Sequence, residues 1–182
     1  MKTTQTTTEL TEGQSKAIAL MQFNEELFFI IDGKIYEGTE AEARDKCKKD
    51  TINEAHFIDW VTDNLTEVEP IEADEERDRY IVLTDSEADE KAKEYILESV
   101  WAFNPSFLAS FTGFDIEVFE AIQNNGRCES NNDEILSMIK DKQEFVEVAI
   151  SSDGRGHFMS TYDGHEHEVN VNGEYFYIYR IS

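Results

Sequence analysis

HEVNVNGEYFYIYRI, residues 167–181, decides how this chain is read. Two strand-like runs, rich in Val, Tyr, Phe and Ile, flank Asn172-Gly173. An Asn-Gly pair favours a two-residue turn in which both residues take φ > 0, so the stretch predicts a β-hairpin. An earlier run, LFFIIDGKIYEG at 27–38, alternates in the same way around Asp32-Gly33 and predicts strands at about 27–31 and 34–37.

Between the hairpins the signals are helical. Thr39 and Glu42 form a capping box that opens a helix to about Lys49. A second helix is expected from about Asn53 to Leu65, with Phe57, Trp60 and Val61 on one face. YIVL at 80–83 reads as a strand, and a capping box at Thr84 and Glu87 opens a helix over 85–99. Further helices are expected near 105–110, 115–124, 132–141 and 142–151. QSKAIALMQFN at 14–24 fits a short helix or the entry to a strand. NNGRCESNN and SSDGRGHFMSTYDG read as loops.

The segment TEVEPIEADEERDR, 66–79, holds a proline and seven acids against two arginines, and reads as a linker. The expected fold class is therefore α+β. A disordered leader (1–12) precedes a small hairpin-plus-helices unit (13–65). The acidic linker (66–79) then leads to a larger, mostly helical unit (80–182) closed by the C-terminal hairpin.

Composition bounds the rest. The 182 residues are 40% hydrophobic and 12% aromatic, enough for a core and against global disorder. No apolar run approaches the roughly 20 residues that cross a bilayer. MKTTQTTTELTEG carries no apolar stretch behind Lys2, so no signal peptide is expected. Cys47 and Cys128 stand in no CxxC pattern, and the expectation is two reduced thiols in a cytoplasm.

Charge is the strongest compositional feature. Forty acids against 16 Lys and Arg give a net charge of −24, where solubility calls for a magnitude of about 2–8. Residues 1–79 carry 20 acids and 9 bases, residues 80–182 carry 20 and 7, so no single tail holds the excess. Such a surface repels nucleic acid and anionic lipid and attracts proteins with basic grooves.

The most chemical-looking stretch runs from Asp153 to His167. His165 and His167 are two apart, which on a strand puts both imidazoles on one face. With His157 or Asp163 they are candidates for a three-ligand zinc site; a polar turn explains the same residues without a metal. Gly154-Arg155-Gly156 could cradle an anion, or Arg155 could pair with a neighbouring carboxylate. Cys47, flanked by Lys46, Lys48 and Lys49, is a candidate low-pKa thiol. GxSxG, HExxH and GxGxxG are all absent. No catalytic residue and no cofactor are expected.

Glu87, Glu90, Glu94 and Glu98 follow 3-4-4 spacing along the expected helix, and Asp85 and Asp89 add a flanking row. Residues three or four apart on a helix lie about 5–6 Å apart at Cβ, the same order as successive phosphates along a DNA strand. The row fits both phosphate mimicry and a solvated helix face. Glu72, Asp74, Glu75 and Glu76 form a second candidate patch.

DSEADEKAKEYILESVWAFNPSFLASFTG (85–113), CESNNDEILSMI (128–139), SSDGRGHFMSTYDGHEHEV (151–169) and EYFYIYR (174–180) together resemble small acidic proteins of bacteriophages and mobile elements. That family offers no catalytic residues to carry over; the resemblance implies a phage, prophage or plasmid origin. CKKDTINEAHFIDW, 47–60, is similar to a Trp-containing segment of plasmid antirestriction proteins, which mimic DNA. The two resemblances imply a non-enzymatic inhibitor of a host defence nuclease in the bacterial cytoplasm, an anti-CRISPR protein against Cas9 being favoured over an inhibitor of a restriction enzyme. The alternatives are an adaptor for another basic host protein, and a metal-dependent enzyme built on the histidine-rich stretch.

Overall fold

The computed structural model describes residues 9–72, 75–124 and 129–182. The fold is α+β, with nine helices and two small antiparallel sheets among the described residues. Two compact units divide the chain: residues 1–84 with 167–178, and residues 85–166 with 179–182.

In the first unit, α1 (Glu12–Phe23) opens at a capping box between Thr11 and Gln14. Ordered structure thus begins inside the expected leader of 1–12; residues 1–8 lie outside those described. Every residue from Ser15 to Met21 is buried, Lys16 included, which reaches Glu12 at 3.0 Å. A helix covered all round has no need of an amphipathic stripe, so the 14–24 sequence shows no period. β1 (Phe28–Ile31) and β2 (Lys34–Glu37) pair from Phe28↔Glu37 to Ile31↔Lys34. Their turn has φ 50° at Asp32 and 76° at Gly33, as the Asp-Gly pair predicts. α2 (Glu40–Lys49) starts at the Thr39–Glu42 capping box.

The helix expected over 53–65 resolves into a 3-10 turn at Glu54–His56 and α3 (Phe57–Asn64). Phe57, Trp60 and Val61 do share a face, and they pack with Tyr36, Phe29, Ala43 and Cys47. Cys47 is 2% exposed, so the lysine-flanked thiol is a core residue and not a reachable nucleophile. Cys128 lies outside the described residues.

The expected linker at 66–79 is the main departure. Val68 and Ile71 are buried in the same core as α1. The Val68 amide donates to the Ile35 carbonyl at 2.8 Å, and that of Ile71 to Gly13 at 3.0 Å. Arg77 Nη1 donates to the Glu69 carbonyl at 2.6 Å. β3 (Glu76–Arg77) then turns through Asp78 and Arg79, φ 49° and 78°, onto β4 (Tyr80–Leu83). Two apolar anchors and a short hairpin thus make this strip part of the first unit. Among so many acids they left little mark on the hydropathy pattern.

The second unit runs through α4 (Asp85–Glu98), α5 (Pro105–Thr112), α6 (Ile116–Asn124), α7 (Asn132–Met138), α8 (Lys142–Asp153) and α9 (Arg155–Met159). Phe145 sits at its centre, with ring centroids of Phe103, Phe107 and Phe111 at 5.0, 5.2 and 5.2 Å. Asp141 caps α8 by accepting from the Gln143 and Glu144 amides. The stretch from Ser151 is not the expected loop: α8 continues through Asp153, and α9 begins immediately beyond Gly154.

The closing hairpin is β5 (Glu166–Val171) and β6 (Glu174–Arg180), turning on Asn172 and Gly173 with φ 54° and 97°. Its strands complete a sheet of order β3-β4-β6-β5. Residues 167–178 therefore belong to the first unit, where Phe176 and Ile178 fill the α1 core. The expected unit 80–182 is corrected accordingly, and the boundary falls between Thr84 and Asp85. Pairing of β6 with β4 joins residues about a hundred positions apart, which no local turn signal reports. Among the described residues, no helix is long and apolar enough to cross a membrane.

Candidate functional site

α4 turns Ala88, Ala92 and Ile96, all fully buried, toward its unit's interior. The opposite side presents Glu90, Glu94 and Glu98, exposed and without an ion pair among the described residues. Glu87 is half-buried. This is the part of the predicted row that stands open.

Asp85 and Asp89 do other work. Arg155 Nη1 meets Asp85 Oδ1 at 2.8 Å and Asp89 Oδ1 at 3.0 Å. Its Nε and Nη2 donate to the two oxygens of Glu166 at 2.8 and 3.1 Å. The Tyr179 hydroxyl donates to Glu166 Oε2. Arg155 is 11% exposed. Burial disfavours its charge, but the bonds to Glu166 and Asp85 outweigh that and push its pKa further up. The Tyr179 phenol is also raised, by burial first and then by Glu166. Arg155 therefore follows the carboxylate-pairing alternative; it joins the start of α4 to the start of β5.

Gly156 makes this possible. A Cβ there would lie 2.6 Å from the Glu166 nitrogen and 2.7 Å from the His165 carbonyl carbon, so only glycine lets α9 rest on that backbone. Neither the Arg155 hub nor the need for Gly156 is readable as such in the sequence. A lone arginine among glycines beside many acids was the available signal.

α8 raises a second wall beside α4. Asp89, Glu90, Lys93 and Glu147 rim a groove of about 450 Å³ whose floor is Val146 and Ile150. Gln143 Nε2 holds Glu147 Oε1 at 2.8 Å. Glu147 was not among the predicted residues, although its spacing from buried Phe145, Val146 and Ala149 puts it on the outer side of α8. An apolar floor under carboxylates suits a chain that is aliphatic along its stem and cationic at its tip.

The second predicted patch lies in the first unit. Glu72, Glu75 and Glu76 are exposed, and the Glu72 amide donates to Glu75 Oε2 at 3.0 Å. Asp74 lies outside the described residues. Glu76 stands opposite Ile81 in the β3–β4 pair.

The histidines are not gathered into a site. His157 is on α9, edge-on to Phe158 at 5.0 Å. The His165 amide donates to Asp163 Oδ1 at 3.0 Å, ahead of β5 rather than within it. His167 packs on the Phe23 ring at 4.9 Å. Among the described residues, no group of three or more His, Cys, Asp or Glu is placed to hold a metal ion. This corrects the three-ligand zinc candidate.

Both units carry the acidic excess: 22 acids and 9 bases in the first, 18 and 7 in the second, recovering the totals of 40 and 16. No protein-family model, curated protein or solved structure matches the chain.

Proposed function

We propose that this chain is an acidic, non-enzymatic inhibitor that occupies the basic nucleic-acid channel of a bacterial defence nuclease in the host cytoplasm. Cas9 is the partner to test first. The observation that carries this reading is the exposed row Glu90, Glu94, Glu98 on α4, only partly offset by Lys91 and Lys93 and flanked by the Glu147-bearing groove. Like charges at i, i+4 cost a helix a few tenths of a kcal/mol per pair, and on α4 two lysines stand against six acids. Here the row repeats at about the spacing of backbone phosphates. The sequence resemblance of 85–113, 128–139, 151–169 and 174–180 to acidic mobile-element proteins is the ground for seeking the partner among host defences.

A basic channel that releases counterions when DNA enters would release them for this surface as well. The reading is tested by Cas9 cleavage with and without prior guide loading, across a salt series. The comparison protein carries Glu90→Lys, Glu94→Lys and Glu98→Lys together. Expected is inhibition that fades with salt and is lost in the triple variant while its thermal unfolding is retained. Full inhibition by the folded triple variant sinks the α4 assignment. Absence of any complex at low salt removes Cas9 as the partner and turns the search to restriction enzymes.

A further inference from the structure

We infer that a second cavity, at the C-terminal ends of α4 and α8, holds a guanidinium group: an arginine side chain of the basic partner. The inference rests on the reading above that the partner is basic. The cavity measures about 340 Å³ and is lined by Ser99, Phe103, Asn104, Asp153, His157 and Phe158, all within the second unit.

Its chemistry favours a planar cation. Asp153 supplies a carboxylate that makes no hydrogen bond or ion pair among the described residues. α8 ends at Asp153, and α4 ends at Glu98, next to Ser99. The C-termini of α8 and α4 bring partial negative charge to the rim, and the N-termini of α9 and α5, at Gly154 and Asn104, bring partial positive charge. The preference for a cation therefore rests on the Asp153 carboxylate. Phe103 and Phe158 lie nearly parallel, centroids 6.0 Å apart; Phe103 is also stacked on Phe107 at 5.3 Å, so Phe158 is the ring wall left to meet a cation. A guanidinium stacks on such rings while donating along its edge, whereas an ammonium is a compact, strongly hydrated point. The His157 imidazole adds a nitrogen that can accept one of those N–H groups.

The walls are held by side-chain hydrogen bonds to backbone groups. Gln123 Nε2 donates to the carbonyls of Trp101 (3.0 Å) and Phe103 (2.8 Å). Asn132 donates to the Leu97 carbonyl at 2.9 Å and accepts from the Trp101 amide at 3.3 Å. The other polar lining groups are already used: the Ser99 hydroxyl donates to the Tyr95 carbonyl, and Asn104 caps α5. Within DGRGH, 153–157, Arg155 and Gly156 are consumed by the α4–β5 junction, whereas Asp153 and His157 face the cavity.

The test uses the full chain and three blocked amino acids as probes: N-acetyl-arginine amide, its citrulline analogue and N-acetyl-lysine amide. Backbone amide shifts are followed by NMR at low salt. Arginine is expected to shift residues 99–104 and 153–158 saturably, with citrulline about tenfold weaker or worse and lysine intermediate. Asp153→Asn, an exposed change, should weaken arginine binding about tenfold and leave distant amides in place. No saturable shift at these residues, or equal binding of citrulline and arginine, overturns the inference. So does tighter binding of free arginine than of the blocked form, which would mark an amino-acid site instead. Glu90→Gln with Glu94→Gln, which keeps Glu98 beside Ser99 in place, should leave the arginine shifts unchanged. If Asp153-dependent arginine binding holds while no nuclease is inhibited, the proposed function fails and the cavity assignment stands. If inhibition holds without arginine binding, the reverse applies.

Discussion

Arg155 is where a single side chain decides most. It is nearly covered, and it faces three carboxylates, of which Asp85 and Asp89 remain largely exposed at 69% and 63%. Solvent screens those two, so the net loss in Arg155→Met is about 2 kcal/mol, below the cost of breaking a fully buried pair. A lowered urea midpoint with an unchanged slope would show it. Tyr179 adds a pH dependence of definite sign. Its phenol is raised above the ordinary tyrosine range near 10, so the fold favours the protonated form. The contribution is complete below that range and is lost progressively as pH climbs from it toward the raised value. The wild-type urea midpoint should fall more between about pH 8 and about pH 11 than that of Tyr179→Phe. Equal falls would mean that the phenol is not coupled to folding. Thr51 carries strain of another kind. It follows α2 with φ 61°, and its amide and that of Ile52 close back onto the Lys48 and Cys47 carbonyls. Glycine suits that left-handed position where a β-branched residue does not. Thr51→Gly should raise stability by about 1 kcal/mol, seen as a higher melting temperature.

At the scale of elements, the contact between α1 and the 66–72 strip is the most exposed to test. A Cβ on Gly13 would stand 2.9 Å from the Ile71 carbonyl oxygen and 3.0 Å from Pro70 Cβ. Neither a backbone carbonyl nor a proline ring can swing aside. Alanine would favour the helix by about 1 kcal/mol, but it would push Ile71, 1% exposed, out of its seat and stretch the Ile71–Gly13 hydrogen bond. Gly13→Ala should therefore lower stability and open residues 66–79 to proteolysis. Unchanged cleavage would mean that the strip holds without α1. The same strip shows what was legible. Asp32-Gly33, Asn172-Gly173 and the Thr39–Glu42 box act over two to four residues, and each is visible in the sequence where it operates. Val68 and Ile71 act across the unit, as does the Phe176–Ile178 face of β6, so the local sequence of the one reads as linker and that of the other as the end of the helical unit. The candidate site divides in the same way. The α4 row follows from helical spacing. Diversion of Asp85 and Asp89 to Arg155, seventy and sixty-six residues away, does not.

At the scale of the whole molecule, the charge of −24 acts on folding and on binding with opposite signs. Within the folded protein, carboxylates outnumber cations in each unit and repel one another. Added salt screens that repulsion, because the Debye length falls from about 30 Å at 0.01 M to about 10 Å at 0.1 M. The melting temperature should therefore rise with salt over this range. Binding to a basic channel behaves in the contrary way, because its driving force is the release of counterions, which dilute salt favours. The affinity should fall linearly on a log–log plot against salt concentration. Neutralising Glu90, Glu94 and Glu98 to glutamine should flatten that slope, since fewer ions are exchanged, and it should raise the melting temperature at low salt. One salt series, read by thermal melting and by affinity for the partner, measures both responses. A melting temperature that climbs while affinity drops identifies the same carboxylates as a burden on the fold and the means of binding. An affinity indifferent to salt would shift the recognition to apolar surface, leaving the acidic row as a solvated helix face.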